Sequence, residues 1–387
     1  MNRLSEVQRA RIAVTASFLC NGLVAGTFVS RIPDLKKHLA LSNSSLGICL
    51  FFVAAGVLSA LGPAGKLAAK YGSKPLTQIG NTGLALAVSI VPLQFNIYFF
   101  VLSLYLLGFF MATQDVSMNS HGITVEQRAG RRMMSMFHAM WSLGALGGGA
   151  LGALTIKLGL STQKHAAIVT IIMLATTLAI HGLFLSAAAD KHPFTNERKV
   201  KQPAIFWTMG LLGFCGAIAE GSASDWGAIL ARDTFHAAPA QATLPYIAFT
   251  FTMVVGRFLG DRLATKFGSR LLISVSGLIG GLGLAAGLTV GGVYGITIGW
   301  FLLGLGVAVV IPLMFSAAGD LALKEYPGVI SPSVAVAKVS GITYFGFVVG
   351  PPILGALADL TTLRATMFIP AALALLLAVG SRLTIKN

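Results

Sequence analysis

Twelve apolar runs, each about 20 residues long and parted by short polar connectors, leave this chain few ways to fold. They centre near residues 21, 55, 84, 110, 144, 175, 217, 252, 280, 307, 345 and 372. A run of that length, rising about 1.5 Å per residue as an α-helix, crosses the hydrocarbon core of a bilayer. Lipid offers the backbone no water, so each run must close its hydrogen bonds within itself. The expected fold is all-α: a polytopic membrane protein of 12 transmembrane helices. Only 11% of the residues are charged, against about 25% in a soluble domain. The first run follows MNRLSEVQRAR without a small-residue cleavage site, so it reads as the first span rather than a signal peptide.

The formal net charge of +15 invites a nucleic-acid partner, but the placement of the charges argues for topology instead. With a cytoplasmic N-terminus, cytoplasmic ends and loops hold 20 of the 28 Lys and Arg residues, external ends hold seven, and Lys338 remains inside a span. The positive-inside rule then puts both termini in the cytoplasm, and the charge excess calls for no nucleic acid as partner. Cys20, Cys49 and Cys215 all lie in apolar runs, so neither a disulfide framework nor a metal or other cofactor is expected. No Walker A, HExxH or GxSxG pattern occurs, and enzymatic chemistry or ATP-driven transport finds no support.

The chain also repeats itself. The longest polar connector, Asp190 to Gln202, leaves 189 residues before it and 185 after. GKLAAKYGSK, from Gly65 to Lys74, returns 196 residues later as DRLATKFGSR, from Asp261 to Arg270. CNGLVAGT from Cys20 is echoed by CGAIAEGS from Cys215. Duplicated six-span halves imply two pseudo-symmetric lobes, 1–189 and 203–387, joined by a cytoplasmic linker at 190–202. The binding site of such a fold is expected between the lobes near the bilayer midplane.

Polar chemistry collects between Ala112 and Gly148. Asp115, Asn119, Gly122 and Glu126 are spaced four, three and four, which sets them on one helix face. Arg128, Arg131 and Arg132 then mark a turn at the membrane surface. If the spans on either side of that turn pack as an antiparallel pair, Asn119 lies beside His138 and Asp115 beside Ser142. An intramembrane carboxylate is costly and by default functional; Asp115 is read as a proton-coupling group. Asn119 and His138 read equally as substrate contacts or as an interhelical pair. Glu126, near Arg128 and Arg131, reads as a gate or surface ion pair, with proton transfer as the alternative. Asn21 in mid-span 1, and Trp141 and Ser142 in span 5, are further candidate substrate contacts.

Span 7 carries Glu220 near its middle and Asp225 towards the outside, about 140° apart around the helix. Glu220 is a candidate for both substrate and proton; Asp225 and Trp226 are expected at an external rim or gate, with an interface aromatic as the alternative for Trp226. Lys338 in span 11 is a candidate contact for an anionic group, with snorkelling to the cytoplasmic surface as the alternative. At the repeat offset of 196, Asp115 corresponds to Ile311 and Asn119 to Phe315, so polar recognition is expected on one wall and apolar closure on the other. Glycines 144, 147, 148, 149 and 152 of span 5 read as a close-packing surface.

Across its whole length the chain resembles the major facilitator superfamily. Gly65, Leu67, Lys70, Gly72 and Lys74 match its loop signature between spans 2 and 3, which implies a cytoplasmic gate at Lys70, Lys74, Asp261 and Arg262. Ala69 and Thr265 stand where the signature has Asp, and Asp261 lies one turn before the second of these places. Within the superfamily, DVSMNS (115–120) and MWSLGA (140–145) are similar to segments of the fucose-permease group. AEGSASDW (219–226) and the pattern of Asp115, Asn119, Glu126 and His138 look like its bacterial YbjJ-type branch. The resemblance implies that Asp115 occupies the place of a proton-carrying carboxylate and His138 that of a sugar-contacting Gln. The group's second acid, in span 1, is absent, with Val29 near its place. The implied function is a monomeric, proton-coupled transporter of a small polar, sugar-like solute, with the lipid bilayer as surroundings. An exporter of drugs or metabolites, or a non-transporting sensor, is the alternative.

Overall fold

A computed structural model of the chain describes residues 5–130, 133–190, 203–326, 330 and 332–384. Among the described residues, twelve helical segments are long and apolar enough to cross a membrane. The helices divide into two compact units, one of residues 1–41 and 49–196, the other of 42–48 and 197–387.

The first unit holds α1 (Glu6–His38), α2 (Asn43–Tyr71) from Cys49 onward, α3 (Ser73–Ile90), α4 (Ile97–Ala129), α5 (Met134–Lys157) and α6 (Thr162–Ile180). Their starts are written in the sequence. Ser5 and Gln8 form a reciprocal capping box on α1, the Asn96 side chain accepts from the Phe99 N–H at the start of α4, and Ser161 accepts from the Lys164 N–H at the start of α6. Gly130 ends α4 in the left-handed region at φ 64°, where an L side chain is strained.

Helix α5 packs mainly along α1, not along α4. Glycines make this approach possible. A Cβ at Gly22 would lie 1.9 Å from the Trp141 carbonyl oxygen, and one at Gly26 2.0 Å from that of Ala145. From the other side, a Cβ at Gly144 would lie 2.1 Å from the Leu19 carbonyl oxygen. The expected antiparallel contact of spans 4 and 5 is thus narrower than a full pairing, with Gly122 of α4 against Met134 and Phe137 of α5 near the Arg128 turn. Sequence neighbours joined by a short turn need not be packing partners when a glycine-lined groove elsewhere allows backbones to touch.

The second unit holds α7 (Ala204–Ile229), α8 (Leu244–Phe267), α9 (Ser269–Val290), α10 (Gly292–Val307), α11 (Val310–Glu325), α12 (Pro332–Leu360), α13 (Leu363–Thr366) and α14 (Phe368–Thr384). Helices α10 and α11 are one span broken at Ala308 and Val309, whereas its counterpart, α4, runs unbroken for 33 residues. Pro312 explains the break. It has no N–H for the Ala308 carbonyl four residues back, and its ring is tolerated only in the first turn of a new helix.

The internal repeat survives as backbone geometry. Gly72 (φ 88°, ψ 156°) joins α2 to α3, and Gly268 (φ 80°, ψ 145°), 196 positions later, joins α8 to α9. Both turns need a residue without a Cβ. In each, the preceding Lys lies over the ring beside it: Lys70 is 5.1 Å from the Tyr71 centroid and Lys266 5.2 Å from that of Phe267.

Candidate functional site

In the first unit, α4 divides two kinds of polar chemistry between successive residues. Gln114 points into the helix bundle and is fully buried. Its Nε2 donates to the Asn81 Oδ1 of α3 at 2.6 Å and to the Ser17 carbonyl of α1 at 3.1 Å. Its Oε1 accepts from the Asn21 Nδ2 of α1 at 3.0 Å, and the Asn21 Oδ1 accepts from Trp141 Nε1 of α5 at 2.8 Å. Four helices thus meet in one satisfied amide network. Asn21 and Trp141, expected as solute contacts, are tied into it, leaving only the ring surface of half-buried Trp141 open.

Asp115, one residue on and about 100° around the helix, is half-buried and outside that network. Its Oδ1 accepts from Asn119 Nδ2 at 3.1 Å, and the same amide donates to the Asp115 carbonyl at 2.8 Å. Among the described residues no Lys or Arg pairs with this carboxylate. Its expected neighbour, Ser142, donates instead to the His138 carbonyl of its own helix at 3.3 Å. His138 is exposed, its ring centroid 5.2 Å from that of Phe18 in an edge-to-face contact. Asp115 and Asn119 are thus half-buried side by side on α4, whereas Ser142 is buried.

Glu126 has a capping role that its sequence position did not announce. Its Oε2 accepts from the backbone N–H groups of Met133 and of Met134, the latter at 2.9 Å. The carboxylate therefore caps the start of α5, where unpaired N–H groups and the helix dipole favour an anion. Arg128 lies 3.9 Å from Glu6. Arg131 and Arg132 fall outside the described residues, as do positions 191–202 of the expected linker.

In the second unit, Glu220 of α7 pairs with Arg257 of α8, Oε1 to Nη2 at 2.9 Å. Asp225 is half-buried. Trp226 is fully buried, its ring against Gly355 of α12 and its Nε1 without a hydrogen-bond partner. In this conformation it is a packing residue. Lys338 meets an aromatic ring. Its Nζ sits 3.1 Å from the centroid of Trp207, a half-exposed ring in the first turn of α7. That cation–π contact engages the ammonium at the end of the span rather than in its middle. Lys70 and Arg262 are exposed and Lys74 half-buried, while the Asp261 side chain lies outside those described. Among the described residues no three His, Cys, Asp or Glu side chains gather as a metal site would require.

Residues 14–331 and 209–385 match the family model of the Major Facilitator Superfamily. The chain belongs to this superfamily. It is 30% identical over 375 residues to an uncharacterized transporter, y4wD, of Sinorhizobium fredii, covering 95% of this chain and 96% of that one. It is 28% identical to the membrane protein MosC of Rhizobium meliloti, over 92% of this chain and 86% of that one. Among solved structures, the nucleoside transporter NupG superposes with a TM-score of 0.70 at 14% identity, over 99% of this chain and all of that one. A bacterial homolog of the human lysosomal transporter Spinster gives 0.76 at 12% identity, over 99% and 98%. At such identities these structures speak for the fold alone. The chain is a multi-pass membrane protein of a non-enzymatic transporter family, built from two helical lobes for a small-molecule solute.

Three groups of polar residues in this superfamily member escaped the sequence reading. Gln114 and Asn81 are amides at lipid depth, and that alone was the available signal. Arg257 looked like one more cytoplasmic charge, although it lies 10 residues before the end of α8. Arg31 looked like an external charge yet is buried. Its Nε donates to His165 Nδ1, Nη1 to Asp34, and Nη2 to Thr155 Oγ1 and the Leu160 carbonyl, all at 3.0 Å.

Proposed function

We propose that this protein is a proton-coupled secondary transporter that moves a small polar, sugar-like solute by alternating access. The observation that carries the reading is Asp115: a carboxylate deep in a membrane span, half-open, held by one amide and not neutralised by any described cation. A carboxylate gripped by Arg or Lys would stay charged throughout a cycle. One held only by Asn119 can gain and lose a proton as access alternates. Asn119 and His138 are proposed to share the solute with it, in keeping with the likeness to fucose permeases. Each proton moving down a 100 mV potential supplies about 2.3 kcal/mol, enough for roughly fifty-fold accumulation of a neutral solute. The proposed setting is a bacterial inner membrane, with both termini cytoplasmic and the chain acting as a monomer.

The test is Asp115→Asn in proteoliposomes. Uptake driven by a pH gradient should vanish while solute counterflow without a gradient persists. Normal gradient-driven uptake by this variant would falsify the reading.

A further inference from the structure

We infer that Glu220 and Arg257 form the solute-recognition element of the second unit, and that this element reads a pair of adjacent hydroxyls on an uncharged solute. The inference rests on the transport reading above and names the class of solute. The two side chains meet through a single contact, Arg257 Nη2 to Glu220 Oε1 at 2.9 Å, the only side-chain hydrogen bond of either group among the described residues. Glu220 Oε2 and most of the five guanidinium donors therefore remain for another partner. Both groups are reachable, with 30% of the Arg257 side chain and 17% of the Glu220 side chain exposed.

Their depth says what they are open to. Arg257 lies 10 residues, about 15 Å along the helix axis, before Phe267 at the end of α8, and inside the apolar span Gln241–Gly260. Charges at that depth face a protein interior or a wet cavity, not lipid. The pair is joined, so its net charge is zero. A hydroxyl both donates and accepts; of two adjacent ones, the first gives its hydrogen to Glu220 Oε2 while the second accepts from a spare Arg257 N–H. The pair stays intact. A solute carboxylate would instead compete with Glu220 for the guanidinium and leave Glu220 a buried, unpaired charge. An amine would do the same to Arg257. Either leaves a penalty that an uncharged polyol avoids. Arg257 is thus a specificity residue, and its planar fork, which Lys lacks, supplies the second donor.

The experiment measures binding to the purified full-length protein, with no gradient present. The probes are neutral hexoses, 6-deoxyhexoses and cyclitols beside their uronate and amino counterparts, read by ligand-dependent melting and calorimetry. Neutral members are expected to bind the native protein at least tenfold more tightly than their charged counterparts. Arg257→Lys, which keeps the ion pair but not the fork, should weaken the best neutral ligand about tenfold to a hundredfold. Arg257→Met should weaken it further, and unliganded melting shows whether each variant is folded; if the Met variant is not, the Lys variant decides. The inference is overturned if no neutral polyol binds, if a uronate or amino sugar is preferred, or if the Lys variant binds like the native protein. Failure here with loss of gradient-driven uptake in Asp115→Asn removes the recognition element and leaves the transport reading. The opposite pattern removes proton coupling and leaves the recognition element.

Discussion

The amide of Asn119 donates twice to Asp115, to the side-chain Oδ1 at 3.1 Å and to the main-chain carbonyl at 2.8 Å. One helical turn thus supplies the carboxylate's partner without help from another span. Asn119→Leu removes both bonds while keeping the volume. Gradient-driven uptake should fall about tenfold or more, in keeping with roughly 1.5–3 kcal/mol for a hydrogen bond to a charged group. Unliganded melting should move little, because the site is half-open. Wild-type uptake rates in this variant count against Asp115 as the coupling group.

Gln114 holds three neighbours at once, so its loss strands buried groups on α1 and α3. Gln114→Leu should destabilise the folded protein by about 2–4 kcal/mol, since each unsatisfied buried polar group costs about 1–3 kcal/mol. Denaturation in detergent reads this out, and an unchanged midpoint would mean the network is slack.

The α1–α5 contact makes a sharp comparison between glycines. Gly26→Ala places a methyl 2.0 Å from the Ala145 carbonyl oxygen, whereas a Cβ at Gly147 meets nothing within 4 Å. Gly26→Ala should force the helices apart at a cost of about 1–3 kcal/mol or more. Gly147→Ala should be neutral or slightly stabilising. Equal melting of the two variants contradicts the packing described.

Arg31 supports four partners from a buried position, while Lys37, two turns on, is exposed. Arg31→Met takes the donor from His165, Thr155 and the Leu160 carbonyl and should cost about 2–4 kcal/mol, since each unsatisfied buried polar group costs about 1–3 kcal/mol. Lys37→Met should change stability by less than about 0.5 kcal/mol. Thermal unfolding of the pair checks the contrast.

Glu126 separates a capping role from a proton-transfer role. Glu126→Gln keeps an acceptor for the Met133 and Met134 N–H groups, so uptake should stay within about threefold of native while melting drops by the equivalent of about 1 kcal/mol or less. A coupling loss as deep as that of Asp115→Asn would restore the proton-transfer role.

What the amino-acid order determined by itself is whatever depends on near neighbours along the chain. Span length, helix caps at Ser5, Asn96 and Ser161, and the duplicated turns at Gly72 and Gly268 all follow from local periodicity and backbone freedom. The cost of a carboxylate in lipid likewise singles out Asp115 without reference to any other helix. Tertiary structure decided which helix lies against which. It laid α5 on α1, which buried Ser142 and tied Asn21 and Trp141 into a network with Gln114. It also turned Glu126 into a cap, Trp226 into core and Arg257 into the partner of Glu220. Apart from the Glu126 cap, whose N–H partners lie seven and eight positions on, those outcomes depend on residues tens to more than a hundred positions apart coming together, and periodicity along one helix carries no information about which neighbour its faces will find.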